Sequence, residues 1–391
     1  MIFKRRNNMK TPMTSKHFTR VIDPVTGVPH YTLTTRVAKY QQSLYYVNNP
    51  MSRDGRYLWF WSVINPIYPD GAGKLLSFID FETDEITICY DIPYQSAPYV
   101  DPDDGTVYFI TGSSLCKREP KKDKFAEVVC RIPVFTNGGG YATHLTRTRD
   151  KNKFFLDIGI KCGGGVQGLL DIRDGSFTEW CRTERPHNHG QLSPKNDDLA
   201  LMAYDSFVNA DGTKNRIPYD ENGVYQRLWT LTSDGKRTMH PAMHNYATHE
   251  WWSADGKTIY YCCDGYGIYG IDYETGKDIT ILEGIDPWHA FSTKDDSLFI
   301  WDEKKLERYG GKWYRGCPSA LNFFNSTTGK NLVVISEMPE NGHTPENQNP
   351  YHIDPHPRFT ENEKYAIFTT TELGGVDLGV VVVDELLELT K

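Results

Sequence analysis

The chain has 391 residues, of which 39% are hydrophobic and 13% aromatic, and its formal net charge is −8. This much apolar and aromatic surface excludes a disordered, collagen-like or coiled-coil chain. The acidic balance, with one short basic cluster at Lys4–Arg6, argues against nucleic acid as a partner. No apolar run reaches the roughly 18 residues that a membrane-spanning helix needs, so we expect no membrane partner either.

The N-terminal segment is basic and lacks the apolar stretch of a secretory signal. We therefore expect a basic tail over residues 1–25, which need not be ordered, and a single domain over residues 26–391. The cytoplasm is the expected location, although a later start at Met9 or Met13 would leave the periplasm open. The eight cysteines form no CxxC pair, which predicts free, buried thiols.

A repeat is visible along the chain. Each copy has a small or polar residue, a turn rich in Asp, Asn, Gly and Lys, and then a run of alternating aromatic and β-branched residues that suits a strand. The seven copies are residues 51–61, 100–111, 145–158, 192–205, 252–264, 292–302 and 359–370.

Most copies are followed by a second apolar strand that ends in Asp or Thr and a Gly-containing turn. These second strands begin at Leu76, Leu169, Leu228, Ile268, Leu321 and Val380. A strand pair that recurs at this interval without long helical segments predicts an all-β fold, a seven-bladed β-propeller, with inserted loops near 206–223 and 303–318. A β-sandwich with generic turns is the alternative, but sandwiches do not preserve a two-strand unit through seven copies.

Histidine occupies an equivalent position in five of the seven repeats, six residues before the turn. These residues are His144, His189, His249, His289 and His356, and the first repeat has Asn48 there. Equivalent positions in a propeller lie at equal radius around one axis, so we expect the five imidazoles to converge on one mouth of the central channel. Neutral imidazoles suit a divalent transition metal and also proton transfer near neutral pH.

Further candidates lie beside these histidines in the sequence. Arg227 begins a strand after the long insertion and is suited to bidentate capture of a carboxylate. The segment 239–252 is rich in titratable groups, with Tyr246 beside His249, which is more typical of a functional loop than of a structural one. His352, Asp354 and His356 fall within five residues, a spacing that favours a metal site over a capped loop.

Four motifs resemble the oligogalacturonate lyases, which are seven-bladed propeller enzymes. They are Arg227-Leu-Trp, His249-Glu-Trp-Trp-Ser-Ala-Asp-Gly-Lys, His289 and Asp354-Pro-His-Pro-Arg-Phe. The resemblance covers roughly residues 185–370, and the propeller lyases of the ulvan type share the architecture. It implies a lyase that cleaves a uronate-containing oligosaccharide by β-elimination.

The resemblance also implies roles for individual residues. His249 matches the base that takes a proton from the uronate ring, and Arg227 matches the arginine that assists at the carboxylate. His289 and His356 match ligands of a manganese-type ion. The family's third histidine and its glutamine are replaced here by Asp354 and Tyr351, with His352 offset by one position, so the expected metal set is His289, His352, Asp354 and His356.

The residue types agree with β-elimination, because a neutralised carboxylate acidifies the neighbouring C5 proton and a histidine base then becomes competent. We expect Arg227 and a metal at His289 and His356 to bind the carboxylate and His249 to take the proton. Tyr246 or His189 is expected to assist the leaving oxygen, and His144 is a further candidate for proton transfer. Trp251, Trp252, Trp288 and Trp313 are candidates for stacking on sugars, though each alone is more typical of a core.

Other readings of the sequence remain open. A rhamnogalacturonan- or ulvan-type lyase is an alternative substrate class, and a non-catalytic interaction scaffold or a metal-dependent hydrolase or lactonase is an alternative function. A scaffold gives no reason for five equivalent histidines, and a hydrolase with a hard ion would favour carboxylate ligands. Ring closure requires no partner, so a monomer or weak oligomer is expected.

Overall fold

The computed structural model describes residues 9–67, 73–93, 98–136, 138–161, 163–205, 207–208, 214–215, 217, 219–305, 314, 316–340 and 350–391. These residues form seven antiparallel sheets, six of four strands and one of five, plus a two-stranded ribbon. Apolar side chains of each sheet pack against those of the next sheet along the chain, and the last sheet packs against the first. The predicted seven-bladed β-propeller is confirmed.

Two strands precede the first blade, and three blades then follow in chain order. The two are β1 (Phe18–Ile22) and β2 (Pro29–Leu33). Blade 1 contains β3 (Tyr40–Gln42), β4 (Tyr57–Val63), β5 (Lys74–Asp80) and β6 (Glu85–Pro93). Blade 2 contains β7 (Tyr99–Val100), β8 (Val107–Thr111), β9 (Ser114–Arg118) and β10 (Glu127–Arg131). Blade 3 contains β11 (Thr146–Arg147), β12 (Lys153–Gly159), β13 (Gly165–Asp171) and β14 (Phe177–Thr183).

The second half of the chain forms four further blades. Blade 4 contains β15 (His187–Leu192), β16 (Leu199–Tyr204), β19 (Leu228–Thr232) and β20 (Arg237–His240), and the ribbon of β17 (Phe207–Val208) and β18 (Lys214–Asn215) lies in its insertion. Blade 5 contains β21 (Ala247–Trp252), β22 (Thr258–Cys263), β23 (Gly267–Asp272) and β24 (Asp278–Glu283). Blade 6 contains β25 (Pro287–Ser292), β26 (Leu298–Lys304), β27 (Ser319–Asn325) and β28 (Lys330–Met338). The closing blade receives β29 (Arg358–Phe359), β30 (Tyr365–Thr370) and β31 (Asp377–Val382), which the helix α1 (Val383–Leu389) follows.

The repeated turn joins the first and second strands of each blade and has a recurrent hydrogen bond. A Ser or Thr hydroxyl donates to the Asp or Asn two residues later, as from Ser52 to Asp54 (2.7 Å) and from Ser253 to Asp255 (2.8 Å). The same bond occurs at Thr148, Thr293 and Thr360. Five of the seven repeats found in the sequence are thus built around the same turn hydrogen bond.

The closing blade joins the two ends of the described chain. Its sheet has the order β1, β2, β31, β30, β29, with Tyr31 paired to Val380 and Thr32 to Gly379. Residues 18–22, which the sequence placed in an N-terminal tail, form the outermost strand of this sheet. The tail boundary at residue 25 thus falls within the closing blade, because pairing with β2 orders a segment that has no repeat signature of its own.

The core lies between neighbouring sheets, where apolar side chains of adjacent blades pack together. Trp59, Trp251 and Phe155 are fully buried in this way. Seven described cysteines are free, as expected. Among the described residues no helix is long and apolar enough to cross a membrane.

Candidate functional site

A β-bulge occurs at the same place in three inner strands and sets the direction of the histidines. The pairing register shifts between Asn188 and Gln191 in β15, between Thr248 and Glu250 in β21, and between Pro287 and Ala290 in β25. Each shift brackets one of the histidines. The backbone φ is +56° at His189 and +38° at His249, the left-handed region that an L-residue adopts only when the surrounding structure imposes it. An extra residue in a bulge re-aims its side chain, here into the channel.

The five histidines at equivalent positions lie side by side around the channel, and we call them the histidine ring. Centroid distances between neighbours are 5.2 Å from His144 to His189 and 6.0 Å from His189 to His249. They are 4.0 Å from His249 to His289 and 4.3 Å from His289 to His356. The expected convergence on one channel mouth is therefore present.

Tyr45, which the sequence reasoning missed, occupies the centre of the histidine ring. Its side chain lies within 6.5 Å, centroid to centroid, of six imidazoles: His144, His189, His249, His289, His352 and His356. It stacks nearly parallel on His144 at 4.7 Å. Burial and the negative charge of Glu250 raise the pKa of Tyr45 well above its usual value, so the phenol is neutral.

Arg227 and His189 are joined by a buried carboxylate, that of Glu250. Glu250 Oε1 lies 2.7 Å from His189 Nδ1, and Oε2 accepts a 3.0 Å hydrogen bond from Arg227 Nε. Arg227 Nη1 donates to the carbonyl of Tyr204 (3.3 Å), and Nη2 lies 3.3 Å from His189 Nδ1. Burial by itself raises the pKa of Glu250, but the charges of Arg227 and His189 outweigh it and lower that pKa to about 2. The group is thus a fixed anion between a fixed cation and an imidazole.

His249 and His144 are buried in a way that keeps them uncharged. Burial, together with the neighbouring imidazoles, lowers the pKa of His249 well below its usual value, and burial does the same for His144. In the part of the chain that the structure describes, His249 Nδ1 and both nitrogens of His144 have no hydrogen-bond partner. A neutral imidazole with a free lone pair can accept a proton, which is the property of a base.

The four residues expected to hold a metal form one cluster. One ligand atom from each of His289, His352, Asp354 and His356 lies within 4.8 Å of the others. Two donor atoms on opposite sides of one ion are separated by about twice the metal–donor bond of roughly 2.1 Å, which is close to this distance. Burial alone raises the pKa of Asp354, but attraction to His352, whose Nε2 is 2.9 Å from its Oδ2, lowers that pKa to about 2.

His289 provides the test of whether this cluster fits a metal. Its Nδ1 faces the carboxylate of Asp302 at 2.9 Å, and its backbone N–H donates to the other carboxylate oxygen. Its Nε2 is buried and, among the described residues, has no hydrogen-bond partner. A carboxylate that orients an imidazole and leaves Nε2 free is the usual second layer of support for a metal-ligating histidine. The donor set therefore fits a divalent ion.

The remaining candidates from the segment 239–252 lie away from the histidine ring. Tyr246 is 56% exposed at the rim, 6.2 Å from the ring of Tyr225. His240 is bonded to Thr230 in the outer part of blade 4, and His244 stacks on Tyr266 at 4.3 Å. The crowding of titratable groups in the sequence does not persist in space, because the segment crosses from the outer strand of one blade to the inner strand of the next.

The tryptophan candidates divide between the core and the site. Trp251 and Trp252 are buried, with their Nε1 groups bonded to Ser292 Oγ (3.1 Å) and the Gln191 carbonyl (3.3 Å). Trp288 is half-buried, contacts His249 edge-on at 4.6 Å, and has Lys304 Nζ 4.0 Å above its ring. Among the tryptophans that the structure describes, Trp288 is thus the candidate beside the histidine ring, and Trp313 lies outside the described residues.

The sequence contains a signal that could have identified Glu250 but none that could have identified Tyr45. Glu250 follows His249 directly within an apolar strand, and a lone acid there signals a buried pairing partner. Tyr45 gives no comparable signal, because its position is outside the repeat alignment that revealed the histidines.

No protein-family model matches the sequence, and no curated protein sequence is significantly similar to it. One solved structure, an oligogalacturonate lyase in complex with manganese, matches with a TM-score of 0.68 at 18% identity, over 93% of this chain and 96% of that one. A second, the oligogalacturonate lyase from Vibrio parahaemolyticus, matches with a TM-score of 0.68 at 16% identity, over 94% and 96%. This chain has the fold of these oligogalacturonate lyases.

The resemblance to oligogalacturonate lyases that the motifs around Arg227 and His249 suggested is thereby confirmed for the architecture. It extends beyond residues 185–370, where the motifs lie, to nearly the whole propeller. The early blades share the fold although their sequences carry only the repeat.

Proposed function

We propose that the chain is a lyase that cleaves a uronate-containing oligosaccharide by β-elimination. The observation that carries the proposal is the placement of a buried, neutral His249 in one channel with Arg227, the two linked through His189 and Glu250. β-Elimination next to a carboxylate needs such a base and such a cation together.

Arg227 provides the carboxylate contact in this proposal. Its guanidinium has five N–H groups, and its hydrogen bonds to Glu250 and Tyr204 use two of them. Because Glu250 fixes the guanidinium in place, the charge is organised before substrate binds. A uronate carboxylate neutralised there makes the neighbouring C5 proton more acidic.

His249 removes the C5 proton, and the electron pair of that C–H bond forms the C4–C5 double bond as the C4–O bond breaks. The leaving oxygen takes a proton from His189. The ring centroids of His189 and His249 are 6.0 Å apart. Glu250 engages Nδ1 of His189 and leaves Nε2 for this transfer. His189 suits the acid role better than Tyr246, which is largely exposed at the rim.

His289, His352, Asp354 and His356 would hold a divalent metal, and manganese is the proposed ion, as in one of the similar lyase structures. When bound, a divalent ion supplies Lewis-acid stabilisation of negative charge. Asp302 holds His289 in the orientation this requires. Trp288 is placed to stack on a sugar ring beside His249.

The first prediction is that His249→Ala abolishes formation of the unsaturated product. Without a base in the ring we expect turnover to fall by about 100-fold or more. The measurement is the absorbance of the C4–C5 double bond with a panel of uronate oligosaccharides, before and after treatment with a chelator. Circular dichroism verifies that the variant is folded.

His244→Ala is the matched control, since it removes an imidazole of the same blade connection outside the histidine ring and should retain turnover. Undiminished product formation by folded His249→Ala would rule out the assignment of the base. Cleavage without an unsaturated product would indicate a hydrolase, and no cleavage of any uronide by the wild-type protein would favour an interaction scaffold.

A further inference from the structure

Tyr45 has no part in the proposed mechanism, although it occupies the centre of the histidine ring. Its side chain forms a triangle with the proposed base and the proposed acid. The ring centroid of Tyr45 is 5.8 Å from that of His189 and 6.5 Å from that of His249, and these two imidazoles are 6.0 Å apart. A sugar that presents its C5 proton to His249 and its C4 oxygen to His189 therefore lies against Tyr45.

The hydroxyl of Tyr45 is available to a ligand. Tyr45 is half-buried, and its hydroxyl makes no hydrogen bond with any residue that the structure describes. The neighbouring Tyr46 differs, because it is fully buried and its hydroxyl donates to the backbone carbonyl of Glu250 at 2.9 Å. A phenol hydroxyl that the fold leaves without an acceptor can donate to a molecule bound in the site.

The charged groups around this hydroxyl place it at the end of the channel where Arg227 lies. The side chains whose charges act on it are Glu250, Arg227, Asp205 and Asp354. Asp205 directly follows the end of β16, and its carboxylate is half-exposed and 4.0 Å from Arg227 Nη1. The hydroxyl of Tyr45 therefore faces the same space as the guanidinium that binds the uronate carboxylate in the proposed mechanism.

Removal of the C5 proton increases the negative charge on the uronate carboxylate. In the transition state the carboxylate shares the electron pair of the breaking C–H bond, which then forms the C4–C5 double bond as the C4–O electrons depart with the leaving oxygen. A hydrogen-bond donor fixed beside the carboxylate stabilises this developing charge. Donation of a hydrogen bond transfers no proton from Tyr45, so His249 still receives the C5 proton and His189 still supplies one.

We propose that Tyr45 is a further catalytic residue, whose hydroxyl donates a hydrogen bond to the uronate carboxylate while the C5 proton is removed. The inference rests on the proposed lyase function and adds a third group to His249 and Arg227. The ring of Tyr45 stacks on His144 at 4.7 Å, which holds the hydroxyl in place before the substrate binds. Because the hydrogen bond strengthens as charge develops, it stabilises the transition state more than the bound substrate.

Tyr45→Phe tests this role, because it keeps the ring among the imidazoles and removes the hydroxyl alone. With the manganese-supplemented full chain and the best substrate of the uronate panel, kcat should fall roughly 10- to 100-fold with little change in KM. The same substrate deuterated at C5 should show an isotope effect on kcat at least as large in the variant as in the wild type, since proton removal is the step that slows. The melting temperature verifies that the variant is folded.

Tyr266→Phe is the matched control, since Tyr266 is exposed, stacks on His244 outside the histidine ring, and should keep the wild-type kcat. The inference is overturned if folded Tyr45→Phe retains the wild-type kcat, if its loss is confined to KM, or if the isotope effect disappears in the variant. A wild-type protein that forms no unsaturated product from any uronide would overturn the lyase function and this inference with it. The two failures are distinguishable, because the first three outcomes are observed only with an active wild type.

Discussion

At the scale of single residues, the organisation of the site depends on charges and rings that lie between the histidines. Glu250 is fully buried and contacts both Arg227 and His189, while Tyr45 fills the space that five imidazoles surround. Glu250 orients His189 through Nδ1, and the ring of Tyr45 packs against the imidazoles. The histidines of the ring thus lie within a network whose other members are not histidines.

We predict that Glu250→Gln destabilises the protein by about 3–5 kcal/mol, because it leaves Arg227 as an uncompensated buried cation. Urea unfolding of the purified variant measures this loss. The double variant Arg227→Met/Glu250→Gln removes the buried charge as well and should recover a large part of the stability. Equal stability of Glu250→Gln and wild type would show that the pair is solvated.

The stability of the protein should also fall on mild acidification, through histidines buried without charge. His187, stacked on Tyr204 at 4.1 Å, has its pKa lowered by burial to about 3. Below pH 6.5 the unfolded chain binds a proton at this position that the folded chain refuses until about pH 3, so stability is lost as the pH falls through this window. The contribution is about 2 kcal/mol between pH 7 and pH 5.

His187→Phe keeps a ring stacked on Tyr204 and removes the imidazole that binds this proton in the unfolded chain. Urea unfolding at pH 7, 6 and 5 should therefore show a shallower loss of stability in the variant than in the wild type. His244→Phe, at a partly exposed histidine, controls for the loss of one imidazole. Parallel pH dependences for wild type and His187→Phe would contradict the prediction.

At the scale of elements, the inner strands determine where the side chains point. The bulges in β15, β21 and β25 give three blades the same irregularity, and the left-handed backbone at His189 and His249 is maintained by the strands on either side. Asp157 fixes one of these bulges, since it accepts hydrogen bonds from the backbone of Thr143 (2.7 Å) and of Gly190 (3.0 Å). The bulge is thus part of the packing between blades 3 and 4.

Gly190→Ala tests this packing directly. A Cβ at position 190 would lie 2.9 Å from both Asp157 Cβ and the Phe155 ring, so the bulge must move. We expect a loss of about 1–3 kcal/mol in unfolding free energy and a displaced His189, seen as reduced turnover. Gly140→Ala, at an exposed glycine without a positive φ where the added carbon would meet nothing within 4 Å, is a control for the glycine substitution outside the packed blades.

At the scale of the whole molecule, ring closure connects segments from the two ends of the described chain. β2 pairs with β31, and Phe18, Tyr31 and Leu33 pack in one core cluster with residues of β30 and β31. Closure of this kind removes the free sheet edge that an open ring of blades would expose. The stability of the closing blade and of blade 1 therefore depends on the N-terminal strands.

Deleting residues 1–33 should lower the melting temperature by roughly 10 °C, because three large core side chains are lost and one edge of β31 is left unpaired. Differential scanning calorimetry measures the change. Arg20→Ala, an exposed substitution in β1, serves as the control and should leave the melting temperature unaltered. A deletion variant that melts like the wild type would show that the C-terminal strands close the ring by themselves.

The sequence alone determined the number of blades and the membership of the histidine ring. Both follow from the repeat, because residues at one position of a repeated unit are at one radius of a closed ring. It also indicated Arg227 and the cluster from His352 to His356, where short spacing in the chain means short distances in space.

Only the tertiary structure decided which residues meet across the channel. Tyr45 reaches the axis from blade 1, Glu250 connects Arg227 to His189, and His289 joins the cluster of Asp354 from another blade. The strand β1 is likewise part of the closing blade through its pairing with β2. Contacts between residues far apart in the chain depend on how blades pack around the axis, and a one-dimensional pattern holds no record of those distances.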